Sequence, residues 1–309
     1  MWIKNRSTTG LHTITDTVRG MGLNYITSSS TAETSYPAVS EMNKFGMSII
    51  NDGTSIVNGS GNSMVYWAWK AGSNTSSTSV TNTDGTITSQ VSANRQAGFS
   101  IVSYTGTGAN ATVGHRLGAA PSMIIFKNRG SNLNSIVYTS MTGAGNVLFL
   151  DGTNASTVNT TAFNNTSPTS SVFSVGAYNN TNQSAINLIA YCWTAIPGYS
   201  AFGSYTGNGS TDGPFVYTGF RPRWMVYKRT DTAAQWYMND TMRDTYNPAS
   251  LDLALNSTSA EPATGGGYYI DYLSNGFKLR NLGGAANASG GTYIWAAFAE
   301  IPFKYARAR

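Results

Sequence analysis

Two histidines, one cysteine and 14 acidic residues are the side chains with the strongest claim to chemistry in this 309-residue chain. His12 and His115 each stand apart from any carboxylate or cysteine cluster, so neither belongs to a ligand set at metal-binding spacing. His115 lies in Gly114-His115-Arg116-Leu117-Gly118, which reads as a turn whose histidine bonds to backbone or solvent. Serine is plentiful, but no nucleophile-elbow motif marks one for a Ser-His-Asp triad. Glycoside hydrolysis needs two carboxylates facing one sugar bond; the acidic residues here are scattered, and no Glu-x-Asp-x-x-Glu strand occurs. The expectation is a protein with no catalytic residues and no cofactor. Glycan binding asks for less: aromatic faces for stacking, with amide or carboxylate partners in loops. Trp236, Tyr237, Asn239, Asp240 and Tyr246 supply that combination and are the expected ligand-binding residues. Adjacent strand residues point to opposite faces, so Trp236 and Tyr237 are expected to divide between core and solvent.

The elements that must position such residues are strands. Charged residues are 11% of the chain, against roughly a quarter in an average soluble protein. The polar surface is therefore built from Ser, Thr, Asn and Gly, which favour turns and depress helix formation. With 33 glycines, 18 tyrosines and 7 tryptophans, the composition reads as short strands joined by Gly/Asn turns. An all-β, antiparallel β-sandwich chain is predicted; no segment shows a helical period, and Asp240 to Tyr246 is a stretch left open to short helical turns. The formal charge of +5 comes from dispersed residues, the one dense cluster being Lys304, Arg307 and Arg309. That is not the basic stripe with interleaved aromatics of a nucleic-acid reader. Cys192 is single and sits in the apolar run Ile189 to Trp193, which predicts a buried, inert thiol and no disulfide. Met1 to Arg6 has no apolar signal core, and no stretch is long enough to cross a bilayer. The Asn-x-Ser/Thr triplets at Asn58, Asn110 and Asn208 read as turn chemistry.

Read against itself, the chain repeats. Phe99-Ser-Ile-Val-Ser-Tyr104-Thr-Gly106-Thr-Gly108 matches Phe202-Gly-Ser-Tyr205-Thr-Gly207-Asn-Gly209. A strand and proline turn follow each, Val113 to Pro121 and Val216 to Pro222. Next comes an apolar strand with a basic end: Met123 to Arg129, Met225 to Arg229, and, a third time, Met1 to Arg6. Asp16-Thr-Val-Arg19 matches Asp240-Thr-Met-Arg243, read as a structural turn or salt bridge, and the middle copy lacks both charges. Leucine-rich strands, then Lys44 to Ile49, Val172 to Val175 and Gly276 to Leu279, keep the same order. Each copy closes on an aromatic strand: Val65 to Trp69, Ile189 to Trp193, and Tyr293 to Phe298.

These landmarks predict repeat 1 over 1–72, an ordered strand-containing connector over 73–97, repeat 2 over 98–198 and repeat 3 over 199–309. Repeats of about 100 residues have sandwich size. Repeat 1 lacks the two opening strands of the others, which would expose a sheet edge. Either residues precede Met1 in the natural product, or another segment or subunit supplies the strand by β-addition.

The block Ala97 to Gly108, with Gly114 to Gly118 and Pro121, resembles a domain repeated in structural proteins of marine tailed phages. Trp67-Ala-Trp69-Lys-Ala-Gly72 and the ending Phe298 to Tyr305 are similar to the same family. The resemblance implies concanavalin A-like or laminin-G-like jelly rolls and a virion-surface location, as tail fibre, spike or capsid-decoration protein. The expected partners are other virion proteins and further copies of the chain, in an oligomer or lattice. A host-surface glycan as ligand rests on the aromatic and amide residues above, because the resemblance does not itself imply ligand binding. Laminin-G-like domains also leave calcium open, through Asp240, Asp244 and Asp231 or Asp151, although EF-hand spacing is absent. Concanavalin A-like sandwiches include carbohydrate-binding modules and glycoside hydrolases, which stand as the alternative class, beside a capsid decoration protein without ligand.

Overall fold

The computed structural model describes residues 1–35, 39–43, 46–50, 56–72, 79–263 and 266–300. Lys44 and Phe45 of the first Lys44–Ile49 landmark, part of the connector, and the basic tail with Phe303 and Tyr305 lie outside the described residues. The chain divides into two compact units. The first holds Met1–Gly152, Thr157–Thr194 and Asn256–Ala260; the second holds Thr153–Ser156, Ala195–Leu255 and Glu261–Arg309. The protein is all-β, and every pair of named strands is antiparallel.

The first unit opens with β1 (Trp2–Asn5), β2 (Thr13–Asp16), β3 (Gly20–Ile26), β4 (Thr34–Ser35), β5 (Val39–Asn43), β6 (Gly46–Ile49) and β7 (Met64–Trp67). Five of these form one sheet in the order β4-β3-β2-β1-β7, while β5 and β6 form a hairpin. Then come β8 (Val80–Asn82), β9 (Ser89–Asn94), β10 (Phe99–Thr105), β11 (Ala111–Gly114), β12 (Met123–Asn128), β13 (Ile136–Thr139) and β14 (Asn146–Phe149). The unit's last elements are β15 (Thr157–Val158), β16 (Val172–Val175), α1 (Asn179–Asn182) and β17 (Asn187–Trp193). An eight-stranded sheet runs β15-β14-β13-β12-β17-β10-β9-β8, and β11 pairs with β16 in a second layer. The connector is thus built into a sheet: β9 pairs along the far edge of β10 from Phe99↔Asn94 to Tyr104↔Ser89.

The second unit contains β18 (Ser200–Thr206), β19 (Phe215–Tyr217), β20 (Pro222–Arg229), β21 (Trp236–Asp240) and β22 (Leu253–Ala254). It continues with β23 (Ile270–Leu273), β24 (Gly276–Leu279), α2 (Gly284–Asn287) and β25 (Thr292–Ala299). Its sheets run β18-β25-β20-β21-β22 and β19-β24-β23. Tyr205, Met225, Tyr227, Tyr293, Trp295 and Ala297 from the larger sheet share one core with Val216, Ile270, Tyr272, Phe277 and Leu279 from the smaller. Two sheets closing on one core define a β-sandwich. The strands with a basic end, β1, β12 and β20, pair with the closing aromatic strands β7, β17 and β25. β17 and β25 each carry a further strand on the other side, whereas β7 pairs only with β1 among the described residues. The core beside β1 is correspondingly small: Ile3, Val39 and Val57 are buried, and Met1, Met21, Met42, Met47 and Met64 pack around them. Flexible thioethers suit an irregular space of this kind.

Among the described residues, helix occurs at two four-residue turns, Asn179–Asn182 and Gly284–Asn287, and not around Asp240 to Tyr246. The Asp240 carboxylate takes the backbone N–H groups of Met242 and Arg243, an Asx turn that competes with helix. The two helical turns are pinned identically. Tyr104 and Tyr205 donate to the carbonyls of Thr181 and Ala286 at 2.5 and 2.7 Å. Asn182 donates to Ala109 and Gly176, and Asn287 to Ser210 and Asn281. Gly108 and Gly209, at φ +71° and +65°, bend the facing loops so that their N–H groups reach Asn182 O and Asn287 O. We expect Asn287→Ala to cost about 2–3 kcal/mol in urea unfolding; a loss within about 0.5 kcal/mol, the range of a neutral surface change, would contradict this.

Candidate functional site

The five expected ligand-binding residues do not form one exposed face. β21 carries Trp236, Tyr237, Asn239 and Asp240, but it lies inside its sheet between β20 and β22. Trp236 is 1% exposed, opposite Lys228 in the register. Tyr237 is half-buried within the sandwich, stacked 5.8 Å from Tyr227 and 4.7 Å from the Tyr268 ring. Asn239 and Asp240 are buried, and the Asn239 amide has no hydrogen-bonding partner among the described residues. Tyr246 alone is open, at 83%. The expected division of Trp236 and Tyr237 between core and solvent fails because both faces of β21 are covered. Trp236, Asn239 and Asp240 are corrected to buried residues and Tyr237 to a half-buried one.

Asp240 is committed to an ion network. Its Oδ2 meets Arg243 Nε at 2.6 Å, and Arg243 also pairs with Glu261. The first unit has the same device: Asp16 Oδ1 accepts from Val18 and Arg19 N–H, and Asp16 Oδ2 meets Arg19 Nε at 2.5 Å. Glu33 joins Arg19 and Arg129, each at 2.8 Å, and the Tyr191 hydroxyl donates to Asp16 at 2.7 Å. Burial opposes the Asp16 charge, yet Arg19 and the hydrogen bonds outweigh it and hold the carboxyl below the usual range. In the middle segment Thr139 and Thr142 close the corresponding turn with hydroxyls.

Three lysines missed by motif reading serve a related purpose. Lys4, Lys127 and Lys228 are fully buried at the basic ends of β1, β12 and β20. Lys4 Nζ donates to Gly10 O and Thr258 O at 2.6 and 3.0 Å. Lys127 Nζ donates to Leu133 O and Ser30 O at 2.8 and 3.0 Å. Lys228 Nζ donates to Arg229 O and Thr153 O at 2.7 and 3.2 Å. Each clamps a carbonyl distant in sequence, and desolvation lowers each ammonium to about 8.

The groups suited to chemistry are likewise spent on structure. His12 accepts from Trp2 Nε1 at 3.1 Å. His115 accepts from the Leu117 N–H and faces Thr169 O; burial lowers its imidazole to about 4, so it is neutral. Burial raises the Cys192 thiol. Among the carboxylates suited to calcium, Asp244 accepts Ser250 and Leu251 N–H, Asp231 binds Arg229, and Asp151 binds Asn134 and Ser135. Among the described residues no three His, Cys, Asp or Glu side chains group around a metal position.

Exposed aromatic surface lies instead on the outer face of the β19-β24-β23 sheet. Val216, Phe277 and Tyr272 point into the core, so alternation puts Phe215 and Tyr217 outside, 46% and 67% exposed. Across the sheet, the register sets Phe215, Lys278 and Asp271 in one row and Tyr217, Gly276 and Leu273 in the next. Lys278 pairs with Asp212 at 2.7 Å, and Arg280 with Asp271 at 2.6 Å. The alternation of Phe215-Val216-Tyr217 was available as a signal; which face was outward required the partner strand.

The fold defines an antiparallel β-sandwich protein whose buried charges and histidines have hydrogen-bonding or ionic partners within it. Residues 1–302 match a family described as a domain of unknown function, DUF7483, and the chain belongs to that family. No curated protein and no solved structure matches it.

Proposed function

We propose that the chain is a surface structural protein of a phage virion, displaying β-sandwich domains for assembly and for attachment to a host surface or its glycans, as tail fibres and spikes do. In this reading the recurring strand order marks three tandem repeats. The protein acts as an oligomer or lattice with other virion proteins. The observation that carries the reading is the way charge is spent. In a chain of low charge, Lys4, Lys127 and Lys228 are buried on backbone carbonyls, and Asp16–Arg19 and Asp240–Arg243 are buried on each other. Buried charges that are each held by several hydrogen bonds favour one arrangement, which suits display.

Electron microscopy of particles carrying a tagged chain tests it. The expected result is density at tail or spike positions. Regular spacing over the capsid would favour decoration, and absence from purified particles would end the proposal. Release of reducing sugar from any host polysaccharide would favour the hydrolase alternative.

A further inference from the structure

We propose that the outer face of the β19-β24-β23 sheet binds a neutral saccharide chain, stacked on Phe215 and Tyr217 and hydrogen-bonded by Lys278, Arg280, Asp212 and Asp271. The inference rests on the attachment reading above and assigns it a place and a ligand class. The first observation is how the rings lie. A Cβ at Gly276 would stand 2.9 Å from Cε2 and Cζ of Phe215, so the missing side chain lets that ring settle across the neighbouring strand. In that position the Phe215 side chain remains 46% exposed. Residues two apart on a strand are about 7 Å apart, so Tyr217 supplies a second platform beside the first. Ring faces of this kind receive the C–H face of a pyranose, while their dipoles and hydroxyls tolerate its polar rim.

The second observation is the polar fringe. Lys278 and Arg280 both reach Asp212 Oδ1, at 2.7 and 3.6 Å, and Arg280 Nε reaches Asp271 at 2.6 Å. Two cations balance two carboxylates, so the face offers paired donors and acceptors without net charge. That pattern matches vicinal hydroxyls better than a sulfate or uronate. The Asp212 carboxylate is 80% exposed and stands where it can meet a ligand.

The third observation is a contrast within the chain. In the first unit Val113 pairs with Phe173 as Val216 pairs with Phe277, so Thr112 and Gly114 occupy the positions of Phe215 and Tyr217. No ring is present there, and the connector covers the strand. Thr86 and Ile87 N–H bond to Thr112 Oγ1 and O, each at 3.0 Å. The aromatic pair therefore lies on a surface that is left open, where its β11 counterpart is covered. Both rings point away from the core, so packing of the sandwich does not account for them.

The full chain on a printed array of neutral and acidic oligosaccharides, followed by titration with the best-bound hexasaccharide, tests the proposal. Binding to neutral members is expected, weakened about tenfold or more by Phe215→Ala and by Tyr217→Ala, with Tyr246→Ala unchanged. Tyr217→Ser serves as a second variant should the alanine changes unfold the sheet, with melting curves confirming the fold of each. Neutral saccharide binding that survives loss of both rings would overturn the location and leave the attachment reading intact. Binding only to acidic members, or to none, would overturn the ligand class. Particle imaging does not depend on these rings and judges the virion reading separately.

Discussion

Arg19→Met is expected to lower the unfolding free energy of the first unit by about 3–5 kcal/mol, the range for breaking a buried ion pair from one side. The Arg19 side chain is fully buried and donates to Asp16 Oδ2 at 2.5 Å, Glu33 Oε2 at 2.8 Å and Ile14 O at 2.9 Å. Methionine replaces the aliphatic stem and removes every donor. Glu33 retains Arg129, but Asp16 loses its hydrogen-bonded guanidinium and keeps the Tyr191 hydroxyl and local N–H groups. Asp16→Asn/Arg19→Met should lie closer to the wild type than Arg19→Met does, because the uncompensated carboxylate is gone. The pH dependence supplies a second reading. Asp16 titrates below the unfolded value of about 3.9, so its contribution is present above that pH and is lost as pH falls through the lower folded value. Urea midpoints between pH 2 and 7 would show a shallower acid limb in Arg19→Met. A loss under about 1 kcal/mol would place the pair with exposed salt bridges and refute its structural role.

That turn was legible because Asp16-x-x-Arg19 and Asp240-x-x-Arg243 recur in an otherwise charge-poor chain, and i,i+3 spacing closes an Asx turn. The apolar strands with basic ends and the closing aromatic strands were legible because they recur in order, and the fold pairs them: β1, β12 and β20 sit beside β7, β17 and β25. The purpose of the basic ends was not legible. Lys4, Lys127 and Lys228 look like solvated strand termini until carbonyls as distant as Thr258, Ser30 and Thr153 close over them. The expected glycan residues failed on the same ground. Local alternation gives two faces to Trp236 and Tyr237, but burial of both is decided by elements far away in sequence. Asn182 and Asn287 were concealed among many similar Asn-x-Ser triplets, since turn chemistry and interior pinning use the same residue.

The chain should gain stability between about pH 8 and 10 and lose it steeply above pH 10. Lys4, Lys127 and Lys228 are held down to about 8 by desolvation. Between that value and the unfolded lysine value of about 10.4, the unfolded chain binds protons that the folded chain does not, so stability rises with pH. The buried tyrosines act in the opposite sense. Desolvation raises Tyr25, Tyr104 and Tyr191 in the first unit and Tyr205, Tyr227 and Tyr272 in the second. Above pH 10 the unfolded phenols release protons that the folded ones keep, and each group removes up to about 1.4 kcal/mol per pH unit. Three such phenols in each unit amount to about 4 kcal/mol per pH unit, enough to exhaust a marginal stability within a few pH units. The first unit has two lysines to offset the onset and the second has one, so the second should decline at lower pH. Urea midpoints from pH 7 to 11.5, followed together with phenolate absorbance, check the sequence of events: phenolate should appear with unfolding and not before it. Midpoints that stay level through pH 11, or buried phenols that ionise in a folded chain, would show that these tyrosines are accessible to water and that the cores are looser than their packing indicates.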